Sequence, residues 1–164
     1  MSAREVIQTV RDKVYEMVIG SRFLHMSFIA DMLCVQFKRN NNETVCCHIQ
    51  SPWRISNNYD IVLASNDCYM DEFGDWLDDM DGSIALKSLV SLNQNLRNAL
   101  LSNFCINLYN ELDFSLTLDG FQSSLAFHLK TFNNRSYQDF ELWRLFSKNS
   151  NTHIVAYSNR LCNE

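Results

Sequence analysis

No lysine or arginine stands between Arg54 and Lys87. Proline occurs once, at Pro52, and glycine four times, so no Pro/Gly-rich linker or low-complexity segment divides the 164 residues. No apolar run approaches the roughly 18 residues that span a bilayer. The opening Met1-Ser2-Ala3-Arg4-Glu5-Val6 carries charges where a secretory leader needs an apolar core, so a cytoplasmic chain is expected. The six cysteines include no Cys-x-x-Cys pair and the four histidines no His-x-x-x-His pair, so metal-ligand spacing is missing and reduced thiols are expected. Neither a Gly-x-Ser-x-Gly elbow nor a Gly-rich phosphate loop is present. A net charge of −5 disfavours nonspecific nucleic-acid binding, which draws its affinity from Lys and Arg on phosphates. These absences point away from membrane, metal, cofactor, nucleic-acid and motif-based enzyme classes.

What fills the gap between Arg54 and Lys87 is acid. Residues 67–81 hold seven carboxylates in fifteen positions, interleaved with Tyr69, Phe73 and Trp76. Like charges at that density repel one another unless a cation relieves them, and aromatic rings supply the anchors that interface hot spots favour. Asp67, Tyr69, Asp71, Glu72, Asp75, Trp76, Asp78, Asp79 and Asp81 are therefore the candidate partner-binding residues, with Phe73 a further possible anchor, and a basic protein is the expected partner. The competing expectation is structural. Phe73, Trp76, Leu77 and Met80 recur at helical spacing, so the rings could pack inward with the carboxylates outside. A calcium loop is not expected, because setting Gly82 at the turn position puts Leu77 and Ser88 where oxygen-rich ligands belong.

Along the chain, Val6, Ile7, Val10, Val14, Met17 and Val18 predict a helix over 3–18 that Gly20 can end. Strands follow at 23–29, 32–38, 44–50 and 61–64, with turns at Asn40-Asn41-Asn42 and Asn57-Asn58. A second helix is expected over 84–101, then strands at 104–108, 113–118, 124–130, 142–146 and 153–157, with a turn at Asn133-Asn134. The fold class is α+β, helices on mainly antiparallel sheet in a single domain over 1–164. Two related helix-plus-hairpin halves, 1–82 and 83–164, are a further expectation. A shift of 81 residues puts Ser21 on Ser102 and Phe23 on Phe104, and Trp53-Arg54-Ile55 has an echo in Trp143-Arg144-Leu145.

Cys46 and His48 share one face of their strand, with His25 and Cys34 on neighbouring ones. A soft-metal site or a thiol nucleophile there is weighed against cysteine's ordinary use as a small core hydrophobe. Arg54 and Arg144 are expected to stack on a ring and pair with a local acid such as Asp60 or Asp139, with a direct binding role as the alternative.

The order helix, strand hairpin, Ile49-Gln50-Ser51-Pro52-Trp53-Arg54-Ile55, short strand, then Ser65-Asn66-Asp67 resembles the small bacterial immunity proteins of polymorphic toxin and contact-dependent growth inhibition systems. The run Asp113-Phe-Ser-Leu-Thr-Leu118, followed by Leu125-Ala-Phe127 and Leu142-Trp-Arg-Leu145, is similar to their hairpin-then-Trp pattern. The resemblance implies a cytoplasmic protein, monomeric or a simple dimer when free. Its role would be to bind one cognate toxin domain and block its active or substrate surface. It transfers no functional residue. Two other classes stay open: a small hydrolase using carboxylates or the strand cysteines, and a self-associating structural module.

Overall fold

A computed structural model describes residues 3–58, 60–118, 125–133 and 139–164. The expected strand start at Ser124 and the turn residue Asn134 lie outside them. Helix α1 (Ala3–Val18) is followed by strands β1 (Arg22–Ile29), β2 (Met32–Lys38), β3 (Thr44–Ile49), β4 (Trp53–Ser56) and β5 (Ile61–Ala64). A 3-10 turn (Ser65–Tyr69) and an irregular segment lead to helix α2 (Ile84–Asn95). Then come β6 (Leu100–Ile106), β7 (Leu112–Leu118), β8 (Leu125–Thr131), β9 (Glu141–Ser147), β10 (His153–Tyr157) and β11 (Leu161–Asn163). Among the described residues the result is an α+β arrangement, mostly antiparallel sheet with two α-helices.

Among the described residues, the strands join in one sheet of order β11-β10-β9-β3-β2-β1-β6-β7-β8-β4-β5. That order dictates a curled sheet. Five strands separate β3 from β4, a distance of roughly 29 Å if the sheet were flat, at ~4.8 Å per strand. Gln50, Ser51 and Pro52 make the whole connection and reach at most about 14 Å. The sheet therefore folds back on itself near the β1/β6 join, where Arg22 pairs Leu100 and the ladder is short. Facing strands meet through rings. Phe37 of β2 stands edge-on to Phe114 of β7 at 5.5 Å between centroids, and Phe28 lies 6.2 Å from Trp53.

Alternation decides which side chains enter. Leu33, Val35 and Phe37 of β2 and Val45, Cys47 and Ile49 of β3 are buried toward the core, as are Phe114, Leu116, Leu129, Trp143 and Leu145. One connected cluster of buried residues runs from Val10 to Leu161. Helix α1 gives it Val10, Val14 and Val18 at a four-residue spacing, and packs on β6 and β11. Helix α2 gives Ala85, Leu89 and Leu92, and packs on β1, β5 and the 3-10 turn. The Asn93 carboxamide ties α2 to the bulged part of β1, accepting from Met26 N at 2.7 Å and donating to Met26 O at 2.8 Å.

Four expectations about elements are corrected. The second helix stops at Asn95, not near Leu101, because Asn98 turns left-handed (φ 64°) and Leu101 N donates to Ser21 O at 2.9 Å, pulling that stretch into β6. The strand expected at 104–108 accordingly begins earlier. Trp53–Ser56 is a full strand between β8 and β5, and Leu161–Asn163 adds an edge strand. Both are short and take their extended form from their neighbours.

Candidate functional site

Beyond the 3-10 turn that holds Asp67 to Tyr69, the acidic segment forms no helix. At its start Asp67 Oδ2 accepts from Ala64 N at 2.8 Å, and the 3-10 turn drives Cys68 into the core with Tyr69 packed beside it. Met70 and Trp76 then pair as an isolated antiparallel bridge. Asp71 closes the loop between them. Its Oδ1 accepts from Phe73 N and Asp75 N, both at 2.9 Å, while Gly74 takes the left-handed conformation (φ 86°) that closure requires. Leu77 N donates to Tyr69 O at 2.9 Å and Ile84 N to Met70 O at 2.8 Å, fastening the loop to the 3-10 turn and to α2. Asp79 Oδ1 accepts from Asp81 N, and Ser83 caps α2 through Leu86 N at 3.2 Å.

This arrangement separates residues that helical spacing would have put on one face. Met80 and Tyr69 pack against the core. Phe73 is 82% exposed and Trp76 72% exposed, so the inward-packing expectation fails for both rings. The bridge and the Asp71 turn hold the backbone under them. The acids also divide. Asp67, Asp71 and Asp79 accept from backbone amides, and Glu72 meets Lys87 Nζ at 3.4 Å. Asp75, Asp78 and Asp81 are exposed and make no hydrogen bond or ion pair through their carboxylates among the described residues. The fold adds one acid that spacing could not reveal. Asp31 on the β1–β2 turn joins Asp67 in pushing up the Cys68 thiol, to about 11, with burial the larger cause.

The other candidate groups lie elsewhere. Cys46 and Cys47 do point to opposite faces of β3, Cys47 into the core and Cys46 outward beside Cys34. A hydrogen bond from Cys34 holds the Cys46 thiol down at about 7, against the opposing effect of burial and with help from Lys148; the Cys34 thiol is pushed up in turn. Both are nearly inaccessible, at 2% and 1% exposure, which leaves a nucleophile no route to a substrate. Among the described residues no three His, Cys, Asp or Glu side chains converge as metal ligands. All six cysteines are free thiols. Arg144 grips Glu141 with two bonds (3.0 and 2.8 Å), lies 3.5 Å from Glu164 and meets His153 Nδ1 at 2.9 Å. Arg54 lies over the Phe132 ring at 5.2 Å. Ring stacking thus holds for Arg54 and pairing with a local acid holds for Arg144, through Glu141; of the acids named as examples, Asp139 pairs with Arg160 instead.

Comparison with protein-family models, with curated proteins and with solved structures finds no match.

Proposed function

We propose that this protein is a protein-binding inhibitor that acts as immunity proteins do, covering the active or substrate-binding surface of a cognate bacterial toxin domain in the cytoplasm. The partner surface is basic, as a nuclease's phosphate-binding surface must be, and the carboxylates of residues 67–81 take the place of phosphates. The observation that carries this reading is the pair of exposed rings, Phe73 and Trp76, on a loop whose backbone is tied down and whose rim is acidic. Each ring contributes about 2 kcal/mol when a partner covers it, and ordering such a loop costs little because it is already ordered. Charge complementarity speeds encounter while the buried rings slow release.

The deciding experiment uses the product of the neighbouring gene, the place where a toxin with a variable C-terminal domain is expected. Stopped-flow binding to that domain should show a fast, salt-sensitive association rate. Reversing Asp75, Asp78 and Asp81 to Lys should lower that rate at least severalfold and flatten its salt dependence. A parent-like rate and salt response in the triple variant would overturn the docking role.

The chain is further read as two units of common plan, 1–82 and 83–164. Three observations support this. Reading outward from the β1/β6 join, β1-β2-β3 with β9-β10 stands against β6-β7-β8 with β4-β5, so each half lends a hairpin to the other's sheet edge. Trp53 opens β4 opposite Thr131 of β8, as Trp143 in β9 lies opposite Ile49 of β3. At the join, Phe23 N donates to Ala99 O and Leu101 N to Ser21 O, a reciprocal pair that would align Phe23 with Leu101 and not, as the 81-residue shift has it, with Phe104.

A further inference from the structure

Beside the acidic loop, the β1–β2 turn, the Gln50-Ser51-Pro52 corner and the 3-10 turn enclose a pocket of about 260 Å³. Asp31, Gln50, Ser51, Trp53, Asn66 and Tyr69 contribute to its wall. Two features set it apart from an ordinary surface dent. Ser51 is 2% exposed, and its Oγ is buried with no hydrogen-bond partner among the described residues, a costly state for a hydroxyl that nothing satisfies. Asp31 is exposed at the mouth and has no ion pair among the described residues. The polar wall is thus rich in acceptors, and the nearest surface, the 67–81 segment, has the same negative sign.

We propose that this pocket receives a cationic side chain of the protein partner, an arginine. A guanidinium carries five N–H donors and no acceptor, so it needs what the wall offers: the Asp31 carboxylate and the polar side chains of Gln50, Ser51 and Asn66, with Tyr69 alongside. The volume suits one side chain rather than a whole small-molecule ligand. The inference rests on the proposed docking of a basic protein and deepens it, since it places a specific anchor next to the general electrostatic surface.

The test titrates the ¹⁵N-labelled full chain with N-acetyl-arginine methylamide, and separately with the uncharged citrulline analogue, following amide shifts by NMR. The expected result is saturable shifts at Ser51, Asn66 and Cys68 with the arginine derivative and none with citrulline. Asp31→Asn keeps a residue tolerant of the left-handed backbone there (φ 64°) and should weaken binding at least threefold. Ser51→Ala, which removes an unsatisfied hydroxyl, should weaken it without lowering thermal stability. No shifts at these amides, equal shifts with citrulline, or affinity unchanged by Asp31→Asn would each overturn the pocket. The docking reading fails independently, through an unchanged association rate in the Asp75, Asp78 and Asp81 reversal, which leaves every pocket residue in place.

Discussion

Lys87 Nζ lies 3.4 Å from Glu72 Oε1, the one ion pair that the acidic segment makes among the described residues, and both side chains are more than half exposed. Exposed pairs of this kind typically contribute about 0.5 kcal/mol, so Lys87 neutralises part of the surface more than it braces the fold. Lys87→Ala should leave the melting temperature within about 2 °C and raise the association rate with a basic partner roughly twofold at low salt. A slower association in this variant would mean that Lys87 itself touches the partner.

Trp76 and Trp143 make opposite predictions from the same side chain. Trp76 is 72% exposed, whereas Trp143 is fully buried and donates from Nε1 to Asn110 O at 2.7 Å. Trp76→Ala should cost less than about 0.5 kcal/mol of stability yet accelerate dissociation from the partner at least tenfold. Trp143→Ala should cost about 3–5 kcal/mol in chemical denaturation. Equal stability losses in the two variants would contradict the exposed placement of the loop ring.

His48 gives the fold an acid sensitivity of predictable sign. Burial, with Arg144 and His153 nearby, lowers its pKa from the ordinary 6.5 despite the opposing pull of Glu141, and its ring stands edge-on to Phe146 at 4.9 Å. The unfolded chain then binds the proton more readily than the folded one, so this residue's contribution is intact above about pH 6.5 and is lost as pH falls toward the lowered folded value. Urea unfolding of His48→Gln at pH 7.5 and pH 5 should show a smaller loss of midpoint on acidification than the parent. Identical losses would remove His48 from the account.

The β4–β5 hairpin belongs to residues 1–82 but pairs with β8, while β9 to β11 belong to 83–164 and join the sheet through β3. Cutting at the exposed Gly82 turn should leave each fragment with an unpaired hairpin. The separate fragments should show little fixed structure by circular dichroism. Co-expressed, they should elute as one 1:1 complex with the parent's far-ultraviolet spectrum. A fragment that folds alone would contradict this exchange of hairpins.

Much of the fold could be read along the chain. The valines at 10, 14 and 18 marked the buried stripe of α1, and the alternation of Leu33-Val35-Phe37 and Val45-Cys47-Ile49 marked core faces that the structure keeps. These patterns are legible because burial of every second or every fourth residue is a local consequence of strand and helix geometry. The end of α2 was not legible, since Leu100 and Leu101 suit an apolar helix face as well as a strand. Pairing with Ser21 and Arg22, far off in sequence, decided between them. The candidate site divides in the same way. Its charge and its rings are composition, and composition is all that sequence needed to single out residues 67–81. Whether Phe73 and Trp76 pointed in or out was a question of backbone. It was settled when Asp71 spent its carboxylate on two amides and Met70 paired with Trp76, which turned a helical spacing into a loop. Nothing in the linear chain singles out Asp31 or Ser51 as part of a site. They stand beside the acidic segment because three residues must join β3 to β4, and so short a link can be made only by a sheet that closes on itself.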